Sequence, residues 1–216
     1  MNCGFTKPII GLIGSIGAGK SAVATMLAER GGLLIDADKL GHEALEQSGV
    51  KASIVRRWGN GVLKSDGTVN RRAIGGIVFA SETERQGLEA MIFPAIARMV
   101  SERIDTARLD SQVRFIVLDA PVLIEAGWKD RCNRLLFVDA PREMRLARVS
   151  RRNGWTEVEL MAREKAQMPI EEKRKLADTT IGNGGTLEEL RANVVSVLNA
   201  WGLIETNDKD DQCLKK

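Results

Sequence analysis

Residues 14–22 read GSIGAGKSA, a glycine, four residues and then Gly-Lys-Ser, and no other stretch of the 216-residue chain restricts the fold as tightly. A loop of this spacing turns its backbone N–H groups inward around a phosphate. Gly14, Gly17 and Gly19 allow the positive φ values and close approach that such a cradle needs, with Ala18 between them. Lys20 then reaches the β/γ-phosphates, and Ser21, followed by Ala22, supplies a hydroxyl to Mg²⁺ at the positive end of a helix dipole. Pro8 and the apolar run Ile9, Ile10, Leu12 and Ile13 precede the loop as a short buried parallel strand. The order strand, loop, helix is the one a phosphate loop requires.

The rest of the chain extends this unit. Val23, Met26 and Leu27 recur at helical spacing, Gly31-Gly32 ends the helix, and residues 33–35 form a second strand running into Asp36-Ala37-Asp38. If the chain stays extended, both carboxylates project to one side of the ligand edge. The alternative is a solvated turn in which Asp38 caps a helix from Lys39 onward. From Lys39 to about Arg108 the apolar spacing predicts several helices, interrupted by a turn-rich stretch at residues 59–67, and no strand. That is too long for a plain crossover, so a small helical lobe over the ligand edge is expected. Residues 113–118 are a third strand ending in Asp119, an acid placed like the Mg²⁺-side acid of P-loop enzymes, and residues 135–138 are a fourth.

Pro141 opens a helix bearing Arg145, Arg148 and Arg152, which at 100° per residue share a face about 60° wide. Such a face is either solvated and paired with Glu143, Glu157 and Glu159, or a clamp on a transferring phosphoryl group; beside a phosphate loop the clamp is the better reading. Thr156 with Glu159 caps a helix running to about Met168, and Lys173 to Ala177 is a further helical turn. Residues 179–181 are a fifth strand. Thr186 with Glu189 caps a last helix that buries Leu190, Val194, Val197 and Leu198.

Composition narrows the function classes. Charged residues at 28% and apolar residues at 44% describe an ordinary globular chain, and a net charge of +3 does not argue for nucleic acid. Three widely spaced cysteines, Cys3, Cys132 and Cys213, form no pairing or metal-ligand pattern, which points to a reducing, cytoplasmic setting. No apolar run suits a signal peptide or a membrane span. His42, the single histidine, makes a histidine metal site or a Ser-His triad improbable. A GTP-dependent switch lacks its Asn-Lys-x-Asp signature, since residues 207–210 carry those residue types in the wrong order.

Taken in order, these motifs resemble the dephospho-coenzyme A kinase family of P-loop kinases over residues 9–198. The likeness rests on residues 14–22, the stretch from Ile35 to Asp38, Trp58-Gly59, Asp66-Gly67, Arg71, and Asp119-Ala120-Pro121-Val122-Leu123-Ile124-Glu125. It continues through Arg148, Arg152-Asn153-Gly154, Arg163, Gln167, Ala177-Asp178 and Asn183. The resemblance implies an α/β fold, a five-stranded parallel sheet flanked by helices with an inserted helical lobe and an Arg-rich lid. One domain would cover residues 8–202, with core segments 8–38, 113–141 and 176–202, an acceptor-binding lobe at 39–110, a lid at 142–175 and a disordered tail at 203–216.

It also implies transfer of the γ-phosphoryl of ATP to the ribose 3′-hydroxyl of dephospho-coenzyme A, in a monomer or small homo-oligomer. Lys20, Arg148 and Asp38 would be catalytic. Asp38 is favoured over Asp36 for orienting or deprotonating the hydroxyl. Gly14, Gly17, Ala18, Gly19, Lys20, Ser21, Ala22, Arg148, Arg152 and Asn183 would hold ATP; Asp36, Asp38, Arg71, Pro121, Leu123 and Glu125 the acceptor; Ser21 and Asp119 the Mg²⁺. Three positions depart from the family pattern: Ser15 replaces a glycine, Ala22 a threonine, and Phe93-Pro94 a His-Pro pair facing the acceptor. The last leaves a related kinase acting on another alcohol as the alternative.

Overall fold

The computed structural model describes residues 7–120 and 122–205; Pro121 and the remainder of the expected tail, residues 206–216, lie outside the described residues. The chain divides into two compact units, Asp36–Thr106 and everything else.

The larger unit is built on β1 (Ile9–Gly14), which leads through the phosphate loop into α1 (Lys20–Glu29) and then β2 (Gly32–Asp36). After the second unit the chain returns as β3 (Phe115–Asp119) and β4 (Arg134–Asp139). These strands and a fifth, β5 (Thr179–Gly182), make one parallel sheet in the order β2-β3-β1-β4-β5. β1 lies at the centre, with Leu12 beside Asp119 on one side and Leu136 on the other. In such a sheet ligands bind beyond the carboxyl ends of the strands, where the strand order switches direction; here that point follows β1.

The strands read as unbroken apolar runs because both faces of the sheet are covered. Ile10 and Leu12, Phe115 and Val117, and Leu136 and Val138 join one core cluster with α1 and a C-terminal helix at Leu187–Ala200. The intervening Ile13, Ile116, Leu118 and Phe137 are buried on the opposite face. β3 begins at Phe115, two residues later than its apolar run suggests, because Val113 N–H is used in a turn with the Asp110 carbonyl. The fold also extends past residue 202: Leu203 and Ile204 pack against the core, and Leu203 N–H donates to the Leu198 carbonyl at 2.9 Å. The expectation of a tail disordered from 203 is corrected there, since these two side chains gain burial by folding back.

The smaller unit is helical, as expected. It consists of α2 (Ala37–Glu46), α3 (Ser48–Trp58), α4 (Arg71–Ala80) and most of α5 (Glu82–Leu109), around a core of Leu45, Ile54, Val62, Val69 and Ile74. Glu84 staples two of the helices, accepting from Arg57 Nε at 2.8 Å and Trp58 Nε1 at 2.7 Å. α5 runs 28 residues with Pro94 inside it, so the apolar groups after residue 82 belong to one helix. The chain does not stay extended after Asp36, nor does Asp38 cap the helix. Asp36 is the N-cap, its carboxylate accepting from Lys39 N–H at 3.0 Å, and Asp38 lies in the first turn. Capping satisfies an orphan donor that an extended chain would leave to water, and Asp36 is the acid whose reach fits it.

Between β4 and β5 lie α6 (Arg142–Asn153), α7 (Glu157–Lys165) and α8 (Ile170–Lys175), and α9 (Leu187–Ala200) closes the fold. α7 ends three residues short of Met168, where Gln167 N–H turns back to the Glu164 carbonyl; α8 starts directly after Pro169 instead of at Lys173. Both capping boxes, Thr156 with Glu159 and Thr186 with Glu189, form as expected.

Candidate active site

The phosphate loop is fixed by backbone geometry that favours glycine at three of its positions, Gly14, Gly17 and Gly19. Gly14, the last residue of β1, has φ +146°, and a Cβ there would lie 2.4 Å from the Val138 carbonyl oxygen on β4. Gly19 is the N-cap of α1 in the left-handed region at φ +94°, and a Cβ there would meet Asn183 Nδ2 at 2.1 Å. Between them Gly17 lies against the Arg145 backbone and Ala18 is fully buried. No acid occupies the first turn of α1, which leaves its positive end unneutralised for an anion. Ser15 is buried, and its carbonyl accepts from Lys20 Nζ at 3.2 Å, as the Gly14 carbonyl does at 3.1 Å. Ser21 is exposed in the first turn of α1. Ala22 is half-buried beside it and packs on the core, so the missing hydroxyl of this position is replaced by an apolar contact.

Asn183, at the carboxyl end of β5, is buried and donates from Nδ2 to the Ala18 carbonyl at 2.7 Å. Arg148 closes the same corner. Its Nη1 lies 3.4 Å from the Gly17 carbonyl and 3.3 Å from that of Ala18, and its Nη2 donates to the Asn183 carbonyl at 2.9 Å. Every partner of this guanidinium is a neutral oxygen. The other arginines of α6 behave differently. Arg145 is buried and ion-paired with Glu164, which Arg142 also contacts at 3.1 Å; Arg142 reaches Glu157 as well. Arg152 is exposed and bonds Asn153 Oδ1 at 3.0 Å. The shared face of three arginines therefore separates into one bonded only to neutral oxygens of the loop and Asn183, one ion-paired with α7 that also reaches the Ile16 carbonyl of the loop at 3.4 Å, and one at the surface. Of the expected acidic partners only Glu157 is used. Glu164 takes the others' place, and Glu159 is occupied in its capping box.

Asp119 ends β3 beside β1. Beyond it Leu123 is buried in the core, and Glu125 Oε1 accepts from Met168 N–H at 2.9 Å and from Lys173 Nζ at 2.9 Å. Burial pushes the Glu125 carboxyl up, but these two donors outweigh it and hold the group below the ordinary carboxylate range. Lys173 is buried, a position that the unbroken charged run from Glu171 to Lys175 conceals. Arg163 stacks on Trp155 at 4.0 Å from the ring centroid. In the smaller unit Asp38 and Arg71 are exposed near the starts of α2 and α4, Asp36 is half-buried, and Phe93 is half-buried within α5. Pro121 lies outside the described residues.

A parallel sheet with a glycine-rich loop turning from its central strand into a helix, and an arginine laid across that loop from a later helix, defines the P-loop kinases. A solved shikimate kinase from Acinetobacter baumannii shares this fold, with a TM-score of 0.52 at 16% identity over 94% of this chain and 97% of that one.

The particular family follows from closer likenesses. Residues 8–189 match the family model described as Dephospho-CoA kinase. A dephospho-CoA kinase of Bacillus licheniformis is 38% identical over 199 residues, covering 91% of this chain and 98% of the relative. A solved dephospho-CoA kinase from Campylobacter jejuni superposes with a TM-score of 0.68 at 26% identity, over 89% of this chain and 96% of that one. The chain belongs to the dephospho-CoA kinase family, phosphotransferases that use ATP to phosphorylate dephospho-CoA to coenzyme A, the last step of coenzyme A biosynthesis. No helix among the described residues is long and apolar enough to cross a membrane.

Proposed function

We propose that this chain transfers the γ-phosphoryl of ATP to the ribose 3′-hydroxyl of dephospho-coenzyme A in the cytoplasm, with the loop from Gly14 to Ala22 and with Asn183 and Arg152 on the ATP side. The observation that carries this reading is Arg148. A cation held over the loop by neutral carbonyl and amide oxygens exchanges them for phosphate oxygens with a gain, because an anionic acceptor adds direct charge–charge attraction to the hydrogen bond. Phosphoryl transfer needs alignment and charge stabilisation more than covalent chemistry, and Lys20 and Arg148 supply both.

Ser21 and Asp119 would hold Mg²⁺. They are hard oxygen donors, a hydroxyl and a carboxylate. The described residues contain no cluster of three or more acids, histidines or cysteines that would cage a metal, which suits an ion bound mostly by water and phosphate. Held there, the ion would offset the negative charge of the phosphates during transfer. Asp38 orients or deprotonates the acceptor hydroxyl, while Asp36, spent on its cap, shapes the turn that presents it. Arg71, Pro121 and Leu123 belong to the acceptor side by resemblance; Glu125, which the resemblance also puts there, is taken up by Met168 N–H and Lys173. The helices from Arg142 to Lys175 act as the lid that excludes water.

Mg-ATP with a panel of alcohols in a coupled ADP-release assay tests this. Turnover is expected with dephospho-coenzyme A and lost in Arg148→Met. A clear preference for another acceptor overturns it.

A further inference from the structure

We propose that Glu125 is a positioning residue for phosphoryl transfer: it fixes the turn between α7 and α8 to the loop after β3, and so sets where α6 holds Arg148 over the phosphate loop. This rests on the kinase reading above, and it gives Glu125 a task other than touching the acceptor.

The post to which the turn is fixed is rigid. Residues 122–128 form a closed turn in which Ala126 N–H donates to the Val122 carbonyl at 2.7 Å and Trp128 N–H to that of Leu123 at 2.9 Å. Leu123 and Trp128 anchor it in the core at 1% and 7% exposure. From this post Glu125 Oε1 receives both Met168 N–H, three residues past the end of α7, and the ammonium of Lys173 on α8. Lys173 also donates to Gln167 Oε1 at 3.2 Å, so the turn is held at Gln167, Met168 and Lys173. The Lys173 side chain is 3% exposed and its ion-pair partner Glu125 is 26% exposed, so losing the carboxylate would leave a buried ammonium without its counter-charge.

The tie continues to the loop by contact. α7 carries Glu164, which is ion-paired with Arg142 and Arg145 of α6. One turn further along α6, Arg148 meets the Gly17, Ala18 and Asn183 carbonyls. Arg174 adds a second anchor for α8, at 3.0 Å from Asp139 at the end of β4. The Glu125 tie differs in joining the lid to the β3 side, where Asp119 stands. Glu125 is thus the point at which the arginine-bearing helices and the strand of the metal-side acid share one reference position.

The test compares Glu125→Gln, Lys173→Met and the double variant. Calorimetric binding of the ATP analogue AMPPNP with Mg²⁺ is measured without acceptor, beside KM for each substrate and kcat. Glu125→Gln leaves a buried ammonium unpaired, so AMPPNP affinity is expected to fall by about tenfold and the ATP KM to rise with it, while the dephospho-coenzyme A KM stays within about twofold. The double variant carries no unpaired buried charge and is expected to recover to within about threefold of the wild type. Should Glu125→Gln not fold, Lys173→Met carries the test, with a smaller loss of AMPPNP affinity expected. An unchanged AMPPNP affinity with a raised dephospho-coenzyme A KM assigns Glu125 to the acceptor and overturns the proposal, as does a double variant no better than Glu125→Gln. If the wild type fails to phosphorylate dephospho-coenzyme A but the AMPPNP pattern holds, the acceptor assignment falls and the positioning role stands.

Discussion

Replacing Gly19 by alanine isolates what the loop geometry is worth. Two costs follow from the structure. At φ +94° an L-residue sits in the left-handed region, at about 1–2 kcal/mol. The new methyl would also lie 2.1 Å from Asn183 Nδ2, so Asn183 has to leave its place and give up the 2.7 Å bond to the Ala18 carbonyl. Because Asn183 is buried, that costs about 1–3 kcal/mol more. Together the loss is about 2–5 kcal/mol, and at roughly 2–4 °C per kcal/mol for a domain of this size the melting temperature falls by about 4–20 °C. Thermal unfolding of Gly19→Ala, Asn183→Ala and the double variant separates the two terms. With Asn183 shortened the clash disappears and only the backbone term remains, so the double variant is expected to be more stable than the sum of the single losses. Strict additivity, or a Gly19→Ala melting temperature equal to the wild type, would refute the reasoning that Asn183 and Gly19 occupy one space.

Asp38→Asn keeps the size and exposure of the side chain but removes its basicity; turnover is expected to fall by about 10²–10⁴ with AMPPNP affinity unchanged, and activity within tenfold of wild type would take Asp38 out of the base role. Acid unfolding reads the Glu125 tie independently. Its folded pKa is depressed, so its stabilisation is full above the ordinary carboxylate value and disappears as pH falls through the lower folded value; Glu125→Gln is expected to be less stable than wild type at pH 7 and to lose less on acidification. Cys132 is half-buried, and removal from water pushes its thiol up to about 12, so iodoacetamide at pH 8 is expected to modify it much more slowly in the native protein than in urea, as read by peptide mass; equal labelling in both states would contradict that shielding.

The sheet and loop were legible because their signals are local and strong. Runs such as Phe115 to Leu118 match buried parallel strands, the glycine spacing fits one kind of loop, and Thr-x-x-Glu pairs mark helix starts that formed as read. What escaped depends on competition or on distant partners. Asp36 and Asp38 are the same residue type two positions apart, and which one caps α2 is decided by which carboxylate reaches Lys39 N–H. Pro94 announces a break, yet it sits inside a 28-residue helix. Lys173 is one charge in a run of both signs, and its ion-pair partner Glu125 lies 48 positions earlier in the chain. Arg145 and Arg148 share a helix face and both reach loop carbonyls, but only the fold shows that the first is also ion-paired with Glu164 and the second with no carboxylate among the described residues.

That division among the arginines is the clearest functional distinction the larger unit makes. A guanidinium paired with a carboxylate has its charge offset in place, and an arriving phosphate would have to compete with that partner; Arg142, Arg145 and Arg174 are all in this condition. They hold α6 to α7 and α8 to β4, and their removal acts first on stability, most of all at Arg145, where Glu164 would be left largely buried with one partner fewer. Arg148 is placed with equal definition but with its charge uncompensated, since no carboxylate among the described residues pairs with it. Holding it there is a standing electrostatic cost that the carbonyl dipoles offset only in part, and an anion on the loop removes it. The neighbouring ion pairs fix the helix so that this arginine meets the loop with its charge unspent, which is why the paired arginines and the unpaired one have to occur together.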